Sequence, residues 1–228
     1  LNAYKVFETL NARGVRLSST DLLKNYLFSV LDRAEVHPHE LDTLERRWEE
    51  LVGRLGEESF PAFLQAHWSS RNGRVRQTEL FKTIRRQITT RADVFQLMRE
   101  MEEDVDTYLA LTQPESSSWP QAWKDYASTL RSFRIRQPFP LLLLARRVLD
   151  DNGFALVLRT SVTISFRYNV IGDRATGDQE TIYGAAVRTV LDEGPRSANA
   201  IIRALAPIYP SDAEFREAFA AKSIRTTI

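Results

Sequence analysis

Carboxylates crowd one stretch of this chain, where Glu100, Glu102, Glu103, Asp104 and Asp106 lie within seven residues. Paired carboxylates can hold a divalent cation or divide acid and base roles between them. Met101 and Val105 interleave them at core spacing, however, so the acids are expected on the wet face of a helix. His37 and His39 flank Pro38, and His67 stands far from both. That pattern is neither the i, i+4 pair of a helical zinc site nor the spacing of a His-Asn-His nuclease, so the pair is expected to be solvated and no metal is expected. The sequence holds no cysteine, which excludes a thiol nucleophile, a Cys-ligated zinc site and a disulfide framework together. It also lacks a glycine-rich phosphate loop, a G-x-S-x-G elbow and a dinucleotide fingerprint. Residues 172–177, with Asp173 and Asp178, read as a polar loop without EF-hand spacing. No catalytic residue emerges.

The basic residues are more suggestive. Between Arg71 and Arg99 seven arginines and Lys82 face only Glu79 and Asp93. Arg71, Arg74 and Arg76 surround the turn at Gly73, and Arg85 and Arg86 lie side by side in the helix that follows. A second run, Arg131, Arg134 and Arg136 with Phe133 interleaved and Arg146 and Arg147 beyond, contains no acid from 131 to 149. Both runs are candidates for DNA-phosphate contact, which positions a duplex without reading its bases. The alternative is that these arginines pair with the acidic faces at 40–58 and 100–106. Of 31 basic residues five are lysine, and a GC-rich genome would produce the same bias. A net charge of +1 offers no global attraction to nucleic acid, so any binding must come from such patches.

The elements that must position these residues are helical. Apolar residues recur near every 3.6 positions, and the spacing predicts an all-α fold, an irregular multi-helix array of about ten to twelve helices. Leu22, Leu23, Tyr26, Leu27, Val30 and Leu31 form one apolar stripe, with Ser18 as N-cap, Asp21 as its capping-box partner and Leu17 and Leu22 as a staple. Pro38 opens a helix through Leu44, Trp48 and Leu51 that closes at Gly53 or Gly56. Further helices are expected around Phe60 to Trp68, Leu80 to Ile88 and Val94 to Leu109. Pro114 and Ser116 to Ser118 form the clearest linker. Beyond it, helices are expected over 119–133, with Trp123, Tyr126, Ala127 and Leu130 inward, then 141–149, 180–191, 197–205 and 212–221, the last capped by Ser211. The segment 154–171 alternates like a strand at Val162, Ile164 and Phe166. It is expected to be a buried helix because it runs too long for a strand. The longest apolar run, Leu141 to Ala145, is far too short to cross a bilayer, and with zero cysteines the chain fits a cytoplasmic protein.

One stretch carries a family resemblance. Phe7, Asn11, Arg13, Gly14, Leu17, Ser18, Asp21, Leu22, Leu23, Lys24, Asn25, Leu27 and Phe28 follow, in order, F-x-x-x-N-x-R-G-x-x-L-S-x-x-D-L-L-K-N-x-L-F. This resembles the signature of the GmrSD-type restriction endonucleases of bacterial defence. There it looks like the tail of a ParB-like domain that binds and hydrolyses nucleotide, followed by a helical region and an HNH nuclease. Arg167, Tyr168 and Asn169, with Glu180 and Tyr183 downstream, are similar to the R-Y-N … E … Y portion of the family's middle region. The hallmark D-G-Q-Q-R and the His-rich nuclease motif are both missing from this sequence. The resemblance therefore implies an internal fragment: 1–34 as the helix-loop-helix tail of a ParB-like domain, 35–112 as a first helical subdomain, and 119–228 as a second leading to an HNH nuclease.

By the same resemblance, Asn11, Arg13, Gly14 and Lys24 lie at the edge of a nucleotide pocket. Helix capping by Asn11 and a positive φ at Gly14 are the local alternatives there. The fragment itself would need no cofactor, while the parent would use a nucleoside triphosphate and a divalent metal. DNA, possibly modified, and the flanking domains are the implied partners; a homo-oligomer is compatible, and a membrane is not. Rival readings are a DNA-backbone-binding module, a protein-interaction scaffold, and an enzyme with a site in the acidic stretch.

Overall fold

The computed structural model describes residues 19–34, 37–56, 59–194 and 197–222. Within them the chain is all-α, with eleven α-helices and no strand. In order these are α1 (Ser19–Arg33), α2 (Pro38–Leu55), α3 (Phe60–Asn72), α4 (Gln77–Gln87), α5 (Arg91–Thr112), α6 (Gln121–Ser132), α7 (Phe139–Val148), α8 (Asp151–Ser165), α9 (Thr176–Glu193), α10 (Ala198–Ala204) and α11 (Asp212–Ala221). A π-helical segment, Phe166–Ile171, continues α8, and 3₁₀ turns occupy Pro114–Ser116 and Ala206–Ile208.

The described residues group into two compact units, the first holding residues up to Gln65 with Val75–Asp106, the second Ala66–Arg74 with residues from Thr107 onward. Both α3 and α5 contribute residues to each. The linker expected at Pro114 to Ser118 falls within the second unit, where Pro114 is buried and starts a 3₁₀ turn.

In the first unit the periodic residues do what their spacing requires. Leu23, Leu27 and Leu31 of α1, Leu44 and Leu51 of α2, Ile84 of α4, and Val94, Met98 and Met101 of α5 are buried. Each such side chain contributes about 1.5–3 kcal/mol by leaving water. Trp48 tilts against Phe60 at 5.0 Å. Pro38 fits the first turn of α2 because its missing N–H has no intrahelical partner there, and Gly56 ends the helix at φ 75°.

The second unit is built around α7. Its run Leu141 to Ala145 is buried on every side, as a helix apolar all round must be. Helices α8 and α9 both pack on it, and α6 and α10 pack on α8. Pro140 sits within the first turn of α7 and does not break it. Trp119, Trp123 and Phe154 meet edge to face at 4.8–5.6 Å.

Four details depart from the spacing-based expectation. The stretch 154–171 is helical as expected, but it begins at Asp151 and widens into the π segment at Phe166. There the Gly172 N–H donates to the Arg167 carbonyl at 3.0 Å, the i, i+5 bond of a π-helix. A Cβ on Gly172 would come within 2.8 and 2.9 Å of the Tyr168 and Arg167 carbonyl oxygens, so only glycine fits. Helix α9 starts at Thr176 rather than 180 and takes Gly177 and Asp178 out of the supposed polar loop. Finally, Asp104 is not on the wet face of α5: it is 1% exposed and held by a partner. Tyr108, one turn further and on the expected apolar face, is buried as well, so Asp104 lies inside the edge of the buried arc. Tyr126, expected inward, is half-buried.

Candidate functional site

Asn11, Arg13 and Gly14, three of the four residues expected at the edge of a nucleotide pocket, lie outside the described residues, as does the Ser18 cap. The fourth, Lys24, packs over the Phe28 ring at 5.7 Å and reaches Glu45 at 3.2 Å and Glu49 at 3.9 Å. Its ammonium joins α1 to α2.

The first basic run is divided. Arg71 and Arg74 belong to the second unit, whereas Arg76, Arg85 and Arg86 belong to the first. Arg71 is half-buried and engaged, and Arg74 bonds Glu180 at 3.0 Å with its side chain packed over Gly184. Arg85 lies over the rings of Tyr26 and Phe81 at 5.5 and 5.8 Å. Arg76, the N-cap of α4, and Arg86, in its last turn, are exposed and have no carboxylate partner among the described residues.

The alternative pairing with the acidic faces holds for Arg91 of this run and for two arginines outside it. In the first unit Arg47 forks onto Glu102 with two bonds of 2.7 Å, Arg54 meets Asp106, and Arg91 meets Glu40. The guanidinium of Arg91 holds the Glu40 carboxyl below its ordinary range. With Glu45 and Glu49, which take Lys24, five acids of the 40–58 and 100–106 faces are therefore helix-to-helix anchors. His37 and His39 are exposed as expected; they stack at 4.8 Å, with His37 Nδ1 accepting from the His39 backbone N–H as the cap of α2. Among the described residues, no group of three or more histidine, aspartate or glutamate side chains is placed to hold a metal ion. No described helix is long and apolar enough to cross a membrane.

Of the second basic run, Arg131, Arg134 and Arg136 stay together at the α6–α7 turn, whereas at the far end of α7 Arg146 pairs with Asp151 at 3.2 Å and Arg147 bonds the Ser70 carbonyl at 2.9 Å. Arg131 forks onto Glu115 at 2.5 and 2.7 Å, and the Ser128 hydroxyl adds a longer contact to the same carboxylate. The Glu115 carboxyl is accordingly held low, first by a backbone N–H and then by Arg131. Arg134 occupies the left-handed region at φ 57°, which lets the chain reverse, and both it and Arg136 are exposed without a carboxylate partner among the described residues.

Two further features escaped the sequence reading. The first is a cleft of about 590 Å³ in the second unit, lined by Tyr168, Arg174, Asp178, Thr181, Ile182 and Ile208. Arg174 stacks on Tyr168 at 5.4 Å and bonds Glu214 at 2.8 Å, so its charge is already met. Burial, and then the nearby Asp178 carboxylate, push the Tyr168 phenol up. The π segment beside the cleft carries buried polar atoms with no partner among the described residues: both amide atoms of Asn169 and Nε of Arg167. On α9 the same is true of Gln179, whose amide is wholly buried. Tyr168 and Asn169 were visible as a motif, but nothing local announces a π-helix.

The second feature is a row of rings. Phe133, at the end of α6, stacks on Phe166 at 6.1 Å; Phe166 meets Phe215 at 6.0 Å; Phe215 meets Phe219 at 5.7 Å. Arg167 lies between Tyr209 and Phe215, 4.9 and 4.7 Å from the two ring centres, and bonds Asp212 at 2.6 Å. The i, i+4 spacing of Phe215 and Phe219 was its only sequence signal. Comparison of the chain with family models, with curated proteins and with solved structures finds no match.

Proposed function

We propose that this chain is the helical connector and regulatory region of a nucleotide-dependent restriction factor of the GmrSD type. In this reading it lies between a ParB-like nucleotide-hydrolysing domain and an HNH nuclease, and it relays the nucleotide state of the first to DNA cleavage by the second. It supplies no reactive group of its own. The observation that carries the reading is the signature from Phe7 to Phe28. Its described part is α1, whose Leu23, Tyr26 and Leu27 are buried while Lys24 ties the helix to α2. A relay needs an element with two arrangements of similar energy. The π segment Phe166–Ile171 suits that role, because π-helical turns are rare and several polar atoms in or beside it are buried without described partners.

A second reading, a module that grips the DNA backbone, is favoured by the exposed Arg76, Arg86, Arg134 and Arg136, which no described carboxylate engages. The two readings are compatible in one protein.

The test is direct. The isolated chain should neither hydrolyse nucleoside triphosphates nor cut DNA. The reading frame around it should encode D-G-Q-Q-R ahead and an HNH motif behind. Triphosphate hydrolysis by the chain alone, or a frame with neither motif, overturns the connector reading.

A further inference from the structure

We propose that the aromatic row of the second unit, Phe133, Phe166, Phe215 and Phe219 with Tyr209 beside it, is a stacking surface for single-stranded nucleic acid. The inference rests on that part of the functional reading in which the chain touches DNA, and it names the strand and the surface.

Scattered exposed apolar residues need no explanation, but a contiguous row does. Here successive ring centres stand 5.7–6.1 Å apart, and no ring in the row is fully buried. Phe219 is 52% exposed and Tyr209 42%. Helix α11 buries no residue completely, so Phe215 and Phe219 are not filling a core. Ring faces accept any base, and arginine beside them adds cation–π attraction and phosphate contact, which is the combination used for unpaired strands.

The charges around the row favour an anion. Asp212 is taken by Arg167, Glu214 by Arg174 and Ser211, and Glu115 by Arg131. Arg134 and Arg136, next to Phe133, are exposed without a described carboxylate partner, and Arg216 is exposed on α11. At about 100° per residue, Arg216 flanks the Phe215–Phe219 face while Glu217 falls on the opposite side. The aromatic row is thus edged with positive charge.

The experiment is fluorescence anisotropy with the full chain and labelled oligothymidylate, oligouridylate and a duplex of equal length, over a range of salt. Binding of a single strand should weaken about tenfold or more in Phe219→Ala and survive in Phe219→Trp. Arg134→Ala with Arg136→Ala should lower the slope of log affinity against log salt by roughly 0.7 for each phosphate that the two arginines neutralise. Weakening of either oligonucleotide by Phe219→Ala supports the proposal, and the tighter of the two identifies the strand. Duplex binding at least as tight, unaffected by Phe219→Ala, overturns the stacking surface while leaving DNA contact in place. No binding to any of the three overturns both. A fall in sedimentation coefficient on Phe219→Ala, with no change in strand binding, assigns the row to contact between copies and overturns it as well. The connector reading stands or falls separately, on triphosphate hydrolysis and the flanking motifs.

Discussion

In the first unit Lys24, Arg47, Arg54 and Arg91 each close onto a carboxylate of another helix while Arg76 and Arg86 of α4 stay in solvent; in the second unit Arg74, Arg131, Arg167 and Arg174 are paired as well, and the arginines left in solvent at the α6–α7 turn, Arg134 and Arg136, stand beside Phe133 and its row of rings. Ion pairs in solvent add little to stability, so their value in the first unit is register, fixing which turn of α2 faces which turn of α5. Such pairs occupy the charges that could otherwise hold a ligand. The second unit has ion pairs too, and what sets it apart is the apolar α7 at its centre and the rings beside its exposed arginines. Both basic runs keep arginines that no described carboxylate engages, Arg76, Arg86 and Arg99 in the first and Arg134 and Arg136 in the second, so the rings and not the count of free charge distinguish the second.

The largest expected effect tests whether α7 is the centre of the second unit. Leu143→Ala should cost about 2–5 kcal/mol in urea unfolding, because the side chain is wholly buried and its neighbours can close the cavity only in part. A cost under about 1 kcal/mol would show that α7 is not the centre of the second unit. Next is Gly172→Ala, which must push a Cβ into two backbone carbonyls. It should cost about 1–3 kcal/mol, with hydrogen exchange rising first across 166–172; unchanged exchange would mean that the π segment has slack. In the first unit Tyr26→Phe removes a hydroxyl that donates to the Arg85 and Ile88 carbonyls at 3.0 and 2.6 Å. A loss of about 1 kcal/mol is expected, and no loss would show that α1 and α4 are joined by apolar contact alone.

The smallest effect is set by pH. The Glu214 carboxyl is lowered from its ordinary 4.5 to about 2, first by the Ser211 hydroxyl and then by Arg174, and Asp212 is lowered by Arg167. A depressed carboxyl stabilises above its unfolded value and loses that contribution as pH falls through the folded one. Between about pH 4.5 and 2, α11 should therefore loosen, seen as faster amide exchange after correction for the intrinsic rate. Helix α2 also loses an ion pair on acidification, through Glu40, but it buries Leu44, Trp48, Leu51 and Leu55 and should hold. Equal loosening of the two helices would contradict the assignment of α11 as surface-held.

Much of this was legible in the residues. The Ser211 cap is present as a full capping box with Glu214, because both partners sit within one turn. The apolar stripes of α1, α2 and α5 were read from spacing alone, since a helix repeats every 3.6 residues whatever surrounds it. The site was far less legible. Asp104, expected in water, is buried, and the reach of Lys24 to Glu45 and Glu49 has no signal in local spacing.

What the sequence determined by itself is the helical character of the chain, most helix positions and the absence of thiol chemistry, all consequences of local spacing and composition. Only the tertiary structure decided which arginines are free, that Phe133, Phe166 and Phe215 form one row, and that the chain widens at Phe166. Those outcomes depend on residues tens of positions apart meeting in space, and on the Gly172 backbone fitting where no side chain could, which no periodicity encodes.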